Sequence, residues 1–171
     1  MRSLWLAIAV LATLVAACSS SGTSGSSPST SVATTGASSP VPKSESAAIT
    51  HAYQAFFSGH TTPAAAAKVL QHGSSFLADL TAQAKSQQAG SLSAKITSVT
   101  RDPAHPSPDV AKVTFTLVSD GSTLLPGASG YAVRTNGHWQ VAARTYCALV
   151  ALEGAAPKPC KDASITALPN S

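Results

Sequence analysis

The hydrophobic pattern changes character several times along the chain. An apolar run over residues 4–15 follows Met1 and Arg2, and residues 19–42 are rich in serine and threonine, with no charge and no aromatic side chain. From residue 44 apolar side chains recur at helical spacing. Ile49, Ala52, Tyr53 and Phe56 fall at i, i+3, i+4 and i+7, with Ser44 as N-cap, Glu45 in the first turn and Gly59 as the stop. Thr62-Pro63 predicts a second helix, threonine at the cap and proline at the first helical position, carried by residues 64–70 and closed by Gly73. A third begins near Ser74 or Ser75, turns Phe76, Leu77, Leu80 and Ala84 inward, and stops before Gly90.

After Gly90 the period becomes two. Leu92, Ala94 and Ile96 alternate with polar residues, and Val99 falls out of phase, which predicts a bulge or an early strand end. Residues 102–109 hold three prolines and read as a loop. Ala111, Val113, Phe115 and Leu117 form the clearest strand, turned by Asp120-Gly121. Around Asn136-Gly137 two registers compete. A two-residue turn pairs Arg134 with Trp139 and mixes the faces. A three-residue turn pairs Val133 with Trp139 and Tyr131 with Val141, placing every large apolar side chain on one face, and is preferred on that ground. Residues 148–153 predict a short terminal helix ended by Gly154, and residues 155–171 are expected to be loose, held only by Cys160. Helices first and a curved antiparallel meander of about four strands after them make an α+β plan over residues 44–154.

At about 1.5 Å per residue the N-terminal apolar run reaches about 18 Å, short of the ~30 Å hydrocarbon core of a bilayer. A charged start, a short apolar middle and small residues before a cut predict a signal peptide over residues 1–17. Leu14-Val15-Ala16-Ala17-Cys18 resembles the lipobox of bacterial lipoproteins. That resemblance implies cleavage between Ala17 and Cys18, acylation of Cys18 (palmitate among the chains), and a cell-membrane anchor on the extracytoplasmic face, from which the domain is retained or later shed. Two acyl chains hold a protein stably where one does not. Residues 18–43 then form a disordered Ser/Thr/Pro-rich linker, either a plain spacer or an O-glycosylated stalk.

Charge and cysteine usage narrow the function classes. The formal charge of +4 falls to +3 without Arg2, and the lysines and arginines are dispersed, so no nucleic-acid partner is expected. With Cys18 assigned to lipid, Cys147 and Cys160 remain in an exported chain, and a disulfide between them is favoured over a metal site, for want of a CxxC or a neighbouring histidine. The five histidines are far apart and form no HExxH, and there is no GxSxG, GxxxxGK or GxGxxG. No metal, cofactor or catalytic residue is predicted.

The helix AITHAYQAFF, the segment AKVLQHGSSF, the strand DVAKVTFTLVSDG and the hairpin YAVRTNGHWQVA resemble the C-terminal domain of the mycobacterial low-molecular-weight secreted antigens, with the element order of a nuclear-transport-factor-2-like cone. The resemblance covers residues 45–153 and implies an exported, non-catalytic actinobacterial domain with no assigned active residues. Enzymes on such a cone place Asp, Tyr or His in the cavity, whereas the inward positions assigned here are almost wholly apolar. Two readings follow. The first is a tethered module that contacts another envelope protein. The second is a binding protein for an apolar or amphipathic ligand in a cavity lined by Tyr53, Phe57, Phe115, Tyr131 and Trp139.

Overall fold

Helix α1 (Lys43–Phe56) lies across an open, curled four-stranded sheet, and the apolar stripe read from the sequence is the face it buries: Ile49, Ala52 and Tyr53. The computed structural model describes residues 38–86, 92–154 and 156–169. The predicted signal peptide, Cys18, the cleavage site, the helix stop at Gly90 and most of the linker lie outside these residues. The described end of the linker belongs to the domain: Pro40 bridges Thr100, Val41 is buried, and Lys43 already opens α1. The helix starts one residue ahead of Ser44, with the Pro42 carbonyl accepting from the Ser46 N–H.

Helix α2 (Pro63–Lys68) has the predicted cap, the Thr62 side chain accepting from the Ala65 N–H at 3.2 Å. A 3-10 turn (Gly73–Phe76), which buries Phe76, leads into α3 (Leu77–Ser86), which buries Leu80, while Leu77 and Ala84 face out. Between them residues 69–71 run parallel to the last strand, with the Gln71 N–H donating to Val141 O and the Val141 N–H to Val69 O.

The sheet is a meander of β1 (Ser93–Thr100), β2 (Val110–Ser119), β3 (Ser122–Thr135) and β4 (His138–Val141), all antiparallel in that order. The predicted bulge is present between Ile96 and Ser98, and it returns Val99 to the face shared by Val113. Strand β3 runs to 14 residues and includes 122–130, where Pro126 and the four small residues after it obscure the alternation.

The β3–β4 register is the one the sequence reading rejected. Thr135 pairs His138, Arg134 pairs Trp139 and Ala132 pairs Val141 around a two-residue turn. Asn136 (φ 52°) and Gly137 (φ 79°) are both left-handed, the condition for the type I′ turn whose twist matches that of the flanking strands. Val133 and Tyr131 therefore face away from α1. The single-face argument failed because the sheet buries residues on both faces. A second small core of Val110, Val133, Ala142 and Leu168 lies there, with Tyr131 against it.

Leu168 belongs to the segment expected to be loose. Its described part, 156–169, holds a 3-10 turn (Lys158–Lys161) and a short α5 (Ala163–Thr166), capped by Asp162 Oδ1 accepting from the Ser164 N–H at 2.9 Å. Helix α4 (Ala143–Leu152) starts five residues earlier than predicted. Ala142 offers it no capping side chain, and Gln71 supplies one from elsewhere: its Oε1 accepts from the Ala143 N–H at 3.0 Å while its Nε2 donates to Ala167 O at 3.1 Å. A buried amide thus ties α4, the tail and the approach to α3 together.

Candidate functional site

The interior between α1 and the sheet is filled by aromatic rings. Phe115 from β2 meets Tyr53 at 5.2 Å edge-on and Phe57 at 5.5 Å stacked, all three buried. The Tyr53 hydroxyl donates to Tyr131 O at 2.9 Å, and burial raises its pKa, so it serves as a fixed donor to the backbone. Three of the five predicted cavity residues are thus brought together, as packing. Tyr131 lies on the opposite face of the sheet, and Trp139 sits at the far end of the core face beneath two arginines. The predicted five-residue cavity is not assembled, because the two-residue turn sends Tyr131 to the outer face.

Tyr131 enters a polar cluster instead. Its hydroxyl donates to Asp102 Oδ2 at 2.8 Å, His105 Nδ1 lies 3.3 Å from the same oxygen, and the Ala104 N–H donates to Oδ1 at 3.0 Å. Burial alone would raise the Asp102 pKa, but these hydrogen bonds and the His105 charge outweigh it and hold the carboxyl below its usual range. Burial and the Asp102 carboxylate push the Tyr131 hydroxyl up, partly offset by Arg144, whose guanidinium stands 5.1 Å over the ring. A charged acceptor and a protonated donor closed on each other fasten the proline loop to β3.

Beside it, Glu45 in the first turn of α1 bridges Arg101 (2.5 Å) and Arg134 (3.5 Å), and Arg134 also pairs Asp109 at 2.7 Å. Both guanidinium groups stand over Trp139, at 5.8 and 5.4 Å. The side chains are a quarter to a third exposed, so the network sets geometry more than it adds stability.

The apolar opening of the domain lies at the other end of α1. A cleft of about 190 Å³ is walled by Phe56, Phe57, Leu80, Leu117, Tyr146 and Leu149, with Ala84, Gln83 and Glu153 at its margin. Of the predicted cavity residues only Phe57 reaches it. The sequence reading missed Tyr146 because it began the last helix at residue 148, and it did not assign Leu149 and Val150 within that helix to a cleft, although the i, i+3, i+4 spacing of the three was the available signal. The spacing of Asp102, His105 and Tyr131 carried no such signal, since only the register unites them.

The disulfide is formed as predicted: Cys147 in α4 and Cys160 in the tail turn are bonded, with Cα atoms 5.4 Å apart. Among the described residues no group of His, Cys, Asp or Glu is arranged to hold a metal ion, and no helix is long and apolar enough to cross a membrane. No curated protein and no solved structure matches the chain. The family model of the low molecular weight antigen MTB12, C-terminal domain, matches residues 40–157, which is 118 of the 171 residues and spans every element from α1 to α4. The chain therefore belongs to the family of the low molecular weight antigen MTB12 C-terminal domain.

Proposed function

We propose that this protein is a non-catalytic lipoprotein of the cell envelope, anchored through acylated Cys18 on the extracytoplasmic face, whose domain acts as an interaction module for another envelope protein. The observation that carries the reading is the placement of polar chemistry. The space between α1 and the sheet is closed by Tyr53, Phe57 and Phe115. The outer sheet face meanwhile presents Lys95, Thr97, Thr114, Thr116 and Ser129 to solvent or partly so. Such a face is open to a partner and offers no enclosed site in which to desolvate a substrate. The disulfide supports an oxidising, exported location. The family supports an antigen-like, exported domain.

The test has two parts in the native host. Intact mass from purified membranes should begin at Cys18 with two or three acyl chains, and Cys18→Ser should release the domain. A photo-crosslinker at Thr97 should capture one envelope protein in stoichiometric yield, and Thr114→Arg should abolish the capture. An unacylated chain in the medium would refute the anchor. Equal labelling from Thr97 and from a position on α3 would refute the interaction face.

A further inference from the structure

We propose that the end of the domain from which the linker emerges rests on an anionic phospholipid surface, through Lys112 and Arg144 with Lys43 beside them. The inference goes beyond the envelope-contact reading and rests on it in one respect, the anchor at Cys18.

The sheet register builds this surface. Pro40 bridges Thr100, Thr100 pairs Lys112 and Lys112 pairs Tyr131, so one row of residues leads from the linker across β1, β2 and β3. With neighbouring strands about 4.8 Å apart, the Lys112 backbone stands about 10 Å from Pro40. Lys112 shares with Tyr131 the sheet face turned away from α1. Arg144, exposed at the start of α4, closes the row with its guanidinium 5.1 Å over the Tyr131 ring. Lys43, also exposed, opens α1 just past the buried Val41.

Charge selects the partner. Among the described residues Lys43, Lys112 and Arg144 take part in no ion pair. The acids at this end are already engaged, Glu45 and Asp109 by Arg101 and Arg134, and Asp102 by Tyr131 and His105. At the opposite end Asp120 turns β2 into β3, Asp79 and Lys85 lie on α3, and Glu153 borders the apolar cleft. That end carries more acid than base, so an anionic surface attracts one end of the domain and repels the other.

The linker says which anionic surface is at hand. A Ser/Gly-rich coil of the length between Cys18 and Ser38 reaches roughly 25 Å. A tether of that reach gives an effective concentration in the millimolar range, so a weak contact is occupied. Each lysine or arginine at an anionic bilayer strengthens binding about five-fold, and the attraction dies away within a Debye length. A bilayer is the one such surface that the anchor brings to this end in every molecule.

The test uses the oxidised mature chain carrying Cys18→Ser, so that no acyl chain contributes, and vesicles of equimolar phosphatidylglycerol and phosphatidylcholine or of phosphatidylcholine alone. Co-sedimentation should occur with the anionic vesicles at about 0.05 M salt and be lost at about 0.5 M. The double variant Lys112→Gln/Arg144→Gln, checked for a native NMR spectrum, should bind roughly 25-fold more weakly. Lys85→Gln/Lys95→Gln removes the same charge from α3 and from the hairpin end of β1, and should stay within about three-fold of the parent. Equal binding to neutral vesicles, equal loss in the two double variants, or tighter binding to polyglutamate than to anionic vesicles would each overturn the proposal, the last by assigning this end to an acidic protein. Intact mass of the native protein decides the anchor separately, so an unacylated chain and an absent vesicle contact are distinguishable failures.

Discussion

Gly130 is the position where one added methyl group has the most to collide with. It sits in β3 opposite Val113, facing α1 and α4. A Cβ there would lie 2.5 Å from Thr145 Cγ2, 2.9 Å from the Tyr53 hydroxyl and 3.0 Å from Thr145 Oγ1. Those two hydroxyls serve the next residue along: the Tyr131 N–H donates to Thr145 Oγ1 at 2.7 Å, and Tyr53 donates to Tyr131 O at 2.9 Å. Thr145 and Tyr53 are both buried, so neither has solvent to retreat into. Overpacking costs about 1–3 kcal/mol, and loss of one or both hydrogen bonds adds about 1 kcal/mol each. The lower chain entropy of alanine in the unfolded state returns about 0.4–1 kcal/mol. Gly130→Ala should therefore destabilise the domain by about 2–4 kcal/mol, a fall in Tm on the order of 4 °C for each kcal/mol at this size. Urea unfolding followed by Trp139 fluorescence measures it. Thr145→Ser removes the closest obstacle and keeps the hydroxyl, so the double variant should recover at least about 1 kcal/mol relative to the sum of the single changes. A Gly130→Ala protein within about 0.5 kcal/mol of the parent, or strict additivity in the double variant, would refute the reasoning.

Two further outcomes follow from the same packing. Reducing Cys147–Cys160 should cost about 3 kcal/mol by freeing a loop of 13 residues, and should speed hydrogen exchange at Ala167 and Leu168 before β2; coincident unfolding midpoints for oxidised and reduced protein would contradict this. All three tyrosines have pKa values above the usual 10, with burial as the leading cause. Because the folded values are raised, this stabilisation is complete below pH ~10 and is lost as pH rises toward and past 12, the unfolded chain ionising first. Absorbance at 295 nm should show Tyr53 and Tyr146 remaining protonated well above pH 10 in the native protein, whereas ionisation of either near pH 10 would refute the burial argument.

Much of this protein is written locally in its chain. The stripe of Ile49, Ala52 and Tyr53, the Thr62-Pro63 start, the bulge ahead of Val99 and the alternation from Ala111 to Leu117 were legible, because each depends on neighbours a few residues away. So was the Cys147–Cys160 pair, by elimination among three cysteines. What the tertiary structure alone decided is which face of the sheet each side chain joins. The left-handed Asn136-Gly137 turn moved Val133 and Tyr131 outward, and this is tolerable only because Leu168, 35 residues further on, arrives to cover Val133. The Gln71 cap of α4, the Asp102–Tyr131 clasp and the Tyr146 cleft have the same origin. Local sequence specifies periods and turns, but partners separated by tens of residues are chosen by the whole packed chain, where a buried polar group must find its hydrogen bond wherever the fold brings one.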